Sequence, residues 1–159
     1  MTQREFRARH TLGSAPVSGL ALVASDGFSA RYDLDRLEGV FSRASHKLYG
    51  QSYVNRILIL DCAKGGVATA WMLHEMKARR MLPLAIVLNR ANPIMAQGAA
   101  LAGICLLAGF DSDITKDVSS GALVEIDPAA GVLRMADEVV NTAPVAASLP
   151  AGYRAVHGP

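Results

Sequence analysis

Short apolar runs alternate with turn-rich or amphipathic stretches along most of the chain. Residues 19–24, Gly-Leu-Ala-Leu-Val-Ala, read as a strand. Residues 25–53 are polar and punctuated by Gly27, Gly39 and Gly50; their length predicts a functional loop carrying short strand fragments. The run Ile57-Leu58-Ile59-Leu60 is apolar on both faces and predicts a central strand. From Val67 to Arg80 no breaker intervenes, and Val67, Trp71 and Glu75 fall one helical turn apart, so a helix is expected until Pro83 stops it. Residues 84–88 predict a second buried strand, and strand–helix–strand at this spacing predicts a right-handed parallel crossover. Asn92-Pro93 has the residue types of an N-cap and first helical position, opening a helix that ends near Gly103. Residues 104–107 give a further short strand. Two apolar runs, 122–126 and 132–135, flank Asp127-Pro128-Ala129-Ala130-Gly131 and predict a hairpin. Beyond Asp137 the periodicity disappears. The expected organisation is one folded domain over 1–136 and a poorly structured C-terminal tail over 137–159.

Composition narrows the classes. With 159 residues, 51% of them hydrophobic and 19% charged, the chain can bury one core and is not disordered as a whole. A net charge of +2 gives no broad basic footprint for nucleic acid or an acidic membrane. The closest basic residues, Lys77, Arg79 and Arg80, sit where cations complement a helix C-terminus. The first ten residues lack the apolar core of a secretory signal, and no run approaches the ~20 apolar residues that span a bilayer. A cytoplasmic protein is therefore expected. Cys62 and Cys105 are isolated, in apolar surroundings, and read as reduced, buried thiols. His10, His46, His74 and His157 are dispersed, with no metal-ligand spacing. No serine elbow or carboxylate pair stands out.

The distinctive feature is Asp61-Cys62-Ala63-Lys64-Gly65-Gly66-Val67-Ala68-Thr69, between the strongest strand and the strongest helix. Glycines there let the backbone approach a ligand, and the first amides of the following helix form a ready anion site. Lys64 adds a point charge and Thr69 a hydroxyl. A carboxylate or phosphate is the ligand type this chemistry favours, although the spacing matches neither a Walker A loop nor a dinucleotide fingerprint. A plain strand–helix connection with glycine chosen for sterics is the competing reading.

Over residues 19–127 the sequence resembles the small subunit, or swivelling domain, of the aconitase X family. The markers are ordered: the strand Gly19-Leu20-Ala21-Leu22-Val23, then Ser29 and Asp35, then His46, Leu48, Gly50 and Ser52 in a His-x-Leu-x-Gly-x-Ser stretch. The strand leading into a basic-Gly turn follows, then Ala85-Ile86-Val87, Asn92-Pro93-Ile94 and Gly98. The resemblance implies an α+β fold, a three-layer β/β/α swivelling domain with a parallel βαβ crossover and a C-terminal hairpin, closing over a larger subunit's active site. It implies a hydro-lyase (dehydratase) of small hydroxy acids, a heteromer whose chain is inactive without its partner. No cofactor is expected in this chain; the iron or iron–sulfur centre belongs to the large aconitase X-type subunit. The implied substrate-binding residues are Lys64, Gly65, Gly66, Ser29 and His46, toward a small anionic substrate, with no nucleic acid or membrane partner and no metal ligand. Family members place serines directly after the basic-Gly pair, one of them serving as base. This chain has Gly66, Val67 and Ala68 there, and Lys47 where a proline is usual, which leaves Thr69 as the candidate catalytic hydroxyl. The alternative is a non-catalytic partner-binding or regulatory domain that has lost that serine.

Overall fold

The computed structural model describes residues 3–136. In chain order the strands are β1 (Gln3–Arg7), β2 (His10–Leu12), β3 (Val17–Val23), β4 (Leu34–Asp35), β5 (Val40–Phe41), β6 (Ile57–Cys62), β7 (Ala85–Arg90), β8 (Cys105–Ala108), β9 (Leu123–Asp127) and β10 (Val132–Ala136). The helices are α1 (Val67–Ala78), α2 (Pro93–Ala102) and α3 (Ile114–Asp117). The expected tail over 137–159 lies outside the described residues.

Eight strands follow the order β1-β10-β9-β3-β6-β7-β8-β2, with β4 and β5 paired separately. β3 joins two layers. Its first half, residues 17–20, runs antiparallel to β9, and its second half, residues 21–23, runs parallel to β6. β6, β7 and β8 continue in parallel, as α1 and α2 crossovers require.

The strand period of two divides the core. Leu58, Leu60, Ile86, Leu88 and Leu106 pack with Leu73 and Met76 of α1 and Met95 and Ala99 of α2. Their neighbours Ile57, Ile59, Ala85, Val87 and Leu107 pack instead with Val124, Ile126 and Leu133 of the β9–β10 layer. The central strands are apolar on both faces because each face meets another layer. All four side chains from Ile57 to Leu60 are fully buried, worth roughly 1.5–3 kcal/mol apiece. The result is the expected three-layer β/β/α arrangement, with the parallel crossover and the C-terminal hairpin in place.

The helices show local causes. Asn92 caps α2, its side chain accepting from the Met95 N–H at 2.7 Å, and Pro93 occupies the first turn. Gly98 lets the two helices close together: a β-carbon there would lie 2.7 Å from Ala70 Cα. On α1 the buried face is Thr69, Leu73 and Met76, so the one-turn series Val67, Trp71, Glu75 marks the outer face. Val67 is 63% and Trp71 68% exposed.

Three elements escape the hydrophobic pattern. β1 has a single apolar residue, Phe6, and holds an edge by pairing with β10; β2 is three residues against β8. α3 is one turn, capped by the Asp113 carboxylate, which accepts from the Thr115 N–H at 3.0 Å. Among the described residues no helix is long and apolar enough to cross a membrane.

Candidate functional site

The carboxyl ends of the parallel strands, where open sheets of this kind place ligands, carry the glycine turn. It is held from the side by residues 26–29. Phe28 N–H donates to the Cys62 carbonyl and Lys64 N–H to the Phe28 carbonyl, both at 2.8 Å, while Asp61 N–H reaches the Asp26 carbonyl at 2.8 Å. The turn is thus anchored on one flank although Lys64, Gly65 and Gly66 are exposed.

Gly65 has φ +96°, a conformation side chains disfavour, and the space behind it is taken. A β-carbon on Gly65 would lie 2.7 Å from Thr69 Oγ1 and 3.6 Å from Ser29 Oγ. Two hydroxyls therefore sit beneath the turn. Thr69 is 2% exposed, and its Oγ1 has no hydrogen-bond partner. Ser29, equally buried, accepts from the Tyr32 N–H at 3.3 Å, and its own N–H donates to Asp33 at 2.8 Å. Asp33 is wholly buried and met by Arg43 at 3.3 Å, which fixes this tight turn.

α1 starts at Gly66 without a side-chain cap and without an acidic residue in its first turn. The Thr69 N–H bonds back to the Gly66 carbonyl at 3.0 Å, and the amides before it, with the positive dipole end, are left to whatever approaches the turn. Lys64 Nζ lies 3.8 Å from Asp26, a long contact for a half-exposed ammonium, so it is free to turn toward a ligand.

His46 takes a different place. Leu48 N–H donates to Nδ1 at 3.1 Å, so Nδ1 is an acceptor and Nε2 carries the proton, which it donates to the Gly27 carbonyl at 2.8 Å. The ring stacks on Phe41 at 4.6 Å and is almost fully buried. Both nitrogens are committed inside the protein, behind the turn. Asp26 completes this support. Burial works against its charge, but hydrogen bonds from the Lys47 and Gly27 amides, followed by the neighbouring His46 and then Lys64, outweigh that, and its carboxyl titrates below the ordinary aspartate range.

Of the residues singled out in the sequence, Lys64, Gly65, Ser29 and Thr69 converge on one turn, Gly66 opens the helix, and His46 supports from behind. Asp26, Gly27, Asp33 and Arg43 were not foreseen. Asp26-Gly27 is readable only as a turn dipeptide, and its pairing partner lies about forty positions on. A second network, also unforeseen, braces the strand ends. The Asn89 amide donates to Asp61 at 3.0 Å and to Asp113 at 2.7 Å, and the Thr115 hydroxyl donates to Asp113 at 2.6 Å. Those bonds, led by Thr115 and then Asn89, lower the Asp113 pKa. Cys62 is half-buried beside the turn and Cys105 is buried. Among the described residues no three His, Cys, Asp or Glu side chains group into a metal-binding set.

The fold is that of an aconitase-type swivelling domain. Residues 5–135 match the family model described as the aconitase X swivel domain, and the chain belongs to that family. It is similar to the phosphomevalonate dehydratase small subunit of Methanopyrus kandleri, with 31% identity over 113 residues, 71% of this chain and 84% of the relative. The protein of the same name from Methanocella arvoryzae is 25% identical over 126 residues, 79% of this chain and 96% of that one. Among solved structures, Thermococcus kodakaraensis aconitase X in its holo-form superposes with a TM-score of 0.78 at 22% identity, over 84% of this chain and 99% of that chain, a likeness of fold.

Proposed function

We propose that this chain is the small subunit of a hydro-lyase that removes water from a small anionic hydroxy acid. In this reading it supplies the anion-binding turn, and a large subunit supplies the rest of the site. The observation that carries it is the uncapped N-terminus of α1 beside Lys64, with the unpartnered Thr69 hydroxyl buried beneath Gly65. Open amides, a half-exposed cation and an unused hydroxyl share one electrostatic preference, for an oxyanion. The relatives' name, phosphomevalonate dehydratase small subunit, supports a substrate that is both anionic and hydroxylated.

Dehydration breaks a C–H bond and a C–O bond: a base takes the proton and hydroxide leaves. Gly66, Val67 and Ala68 carry no group that takes a proton, and Thr69 is screened by Gly65. This chain therefore binds and orients the anion, with Lys64 and the α1 amides in contact and Ser29 and Thr69 beneath. His46 and Asp26 position the turn from behind. Proton transfer falls to the partner, which also carries the iron or iron–sulfur centre. Closure of the domain over the partner excludes water from the site.

The isolated chain is expected to be inactive, and addition of the large subunit is expected to produce loss of water from a hydroxy acid, followed by mass spectrometry. Full turnover by the chain alone overturns the proposal. The second reading, a partner-binding domain without part in the chemistry, is favoured by the same absent hydroxyls. It requires that the assembled enzyme be indifferent to substitution at Lys64.

A further inference from the structure

Seven large apolar side chains stand exposed among the described residues; two of them, Val67 and Trp71, lie on α1, and Leu37, with Tyr32 on the same loop, lies where that loop shares a cleft with Glu75 and Arg79 at the end of α1. Monomer surfaces scatter such residues singly; two on one helix face, next to a cleft with a third, mark a contact surface. Val67 and Trp71 follow the turn directly along the outer face of α1. One turn farther on, Glu75 and Arg79 form one wall of a cleft of about 460 Å³, whose other wall includes Arg31, Arg36 and Leu37.

The charges in this cleft are unevenly matched. Its two carboxylates are occupied: Asp35 accepts from the Leu37 and Glu38 amides at 3.0 and 3.1 Å, and Glu75 pairs with Arg79 at 3.2 Å. Among the described residues neither Arg31 nor Arg36 meets a carboxylate. Arg36 gives one N–H to the Ala30 carbonyl at 3.1 Å, and its Nε is buried without a partner. Arg31 lies over the exposed Tyr32 ring, its guanidinium carbon 5.2 Å from the ring centroid. An exposed Tyr under an unmatched Arg, with an exposed Trp one turn along α1 from the cleft's Glu75, has the composition of the energetic centre of a protein interface.

We propose that the outer face of α1 from Val67 to Trp71, together with the arginine-lined cleft beside it, docks the large subunit, which inserts an acidic side chain flanked by apolar ones. This rests on the hydro-lyase reading. The partner is favoured over other occupants by continuity: a subunit that completes a site at the first turn of α1 meets Val67 and Trp71 next. Charge complementarity then sets the sign of what enters the cleft.

The test is a binding titration of the purified large subunit with the full chain. Trp71→Ala and Arg31→Glu are each expected to raise Kd at least tenfold, whereas Leu123→Ala, on the opposite layer, leaves it unchanged. Circular dichroism melts confirm that the variants fold. If both variants bind like the wild type, the surface assignment is overturned and the hydro-lyase reading stands. If the wild-type chain does not bind the large subunit, both fall. Self-association abolished by Trp71→Ala, with binding to the large subunit intact, gives the face to a second copy and overturns the proposal.

Discussion

The stem of Lys64 lies across Gly27, so closely that a β-carbon on residue 27 would fall 2.1 Å from Lys64 Cε. The absence of a side chain at one residue thus sets the path of a cation that follows it by more than thirty positions. Gly27→Ala displaces only the far end of a flexible side chain, so its stability cost is expected to stay within about 1 kcal/mol. The displaced ammonium is expected to lower kcat/KM of the assembled enzyme about tenfold. Thermal melts and steady-state kinetics on the same variant check both halves.

Thr69 separates structure from function by sign. Its buried hydroxyl has no partner, so Thr69→Val, which keeps the branched shape and removes the polar atom, is expected to be neutral or to stabilise by up to about 1 kcal/mol. The same variant is expected to reduce kcat/KM of the complex. Unchanged kinetics remove Thr69 from the site.

Backbone strain gives the opposite outcome one turn earlier. Gly65→Ala forces a side chain into φ +96° and toward Thr69 Oγ1. A loss of about 1–2 kcal/mol is expected by chemical denaturation. The double variant with Thr69→Ala is expected to recover only the contact part.

Acid stability follows from Asp26. Its carboxyl titrates below the ordinary aspartate range in the folded chain, so the stability it contributes is complete above the unfolded-state value. That stability is lost as pH falls through the lower, folded-state value. The window lies below about pH 4. Asp26→Asn is expected to cost on the order of 1–2 kcal/mol at neutral pH and to flatten the acid limb of a stability–pH curve.

The two thiols are expected to differ. Burial raises the Cys105 pKa to about 11, and reaction requires the thiolate. Alkylation at neutral pH is expected at Cys62 in the native protein and at Cys105 only after unfolding, as peptide mapping would show.

Much of the fold is legible in the sequence because its central strands are apolar on both faces, a pattern only a covered sheet produces. Asn92-Pro93 and Gly103 likewise announce the two ends of α2 by local chemistry alone. β1 is different: Gln3–Arg7 has one apolar residue because an edge strand is held by backbone pairing and by ion pairs such as Arg134 with Glu5 at 3.0 Å. In the site, Lys64, Gly65 and Thr69 fall within six consecutive residues and could be read together. The Asp26-Gly27 support could not, since nothing local distinguishes it from any other turn. His46 is recognisable in sequence, but only the hydrogen bonds to both its nitrogens show that it faces inward.

In the proposed enzyme the Lys64 turn binds the substrate anion in a site shared with a large subunit. Lys64→Ala in the assembled enzyme tests it most directly, with kinetics and subunit affinity measured on the same preparation. A fall in kcat/KM of about a hundredfold is expected, with subunit affinity and thermal stability unchanged. Wild-type kinetics in that complex would contradict it.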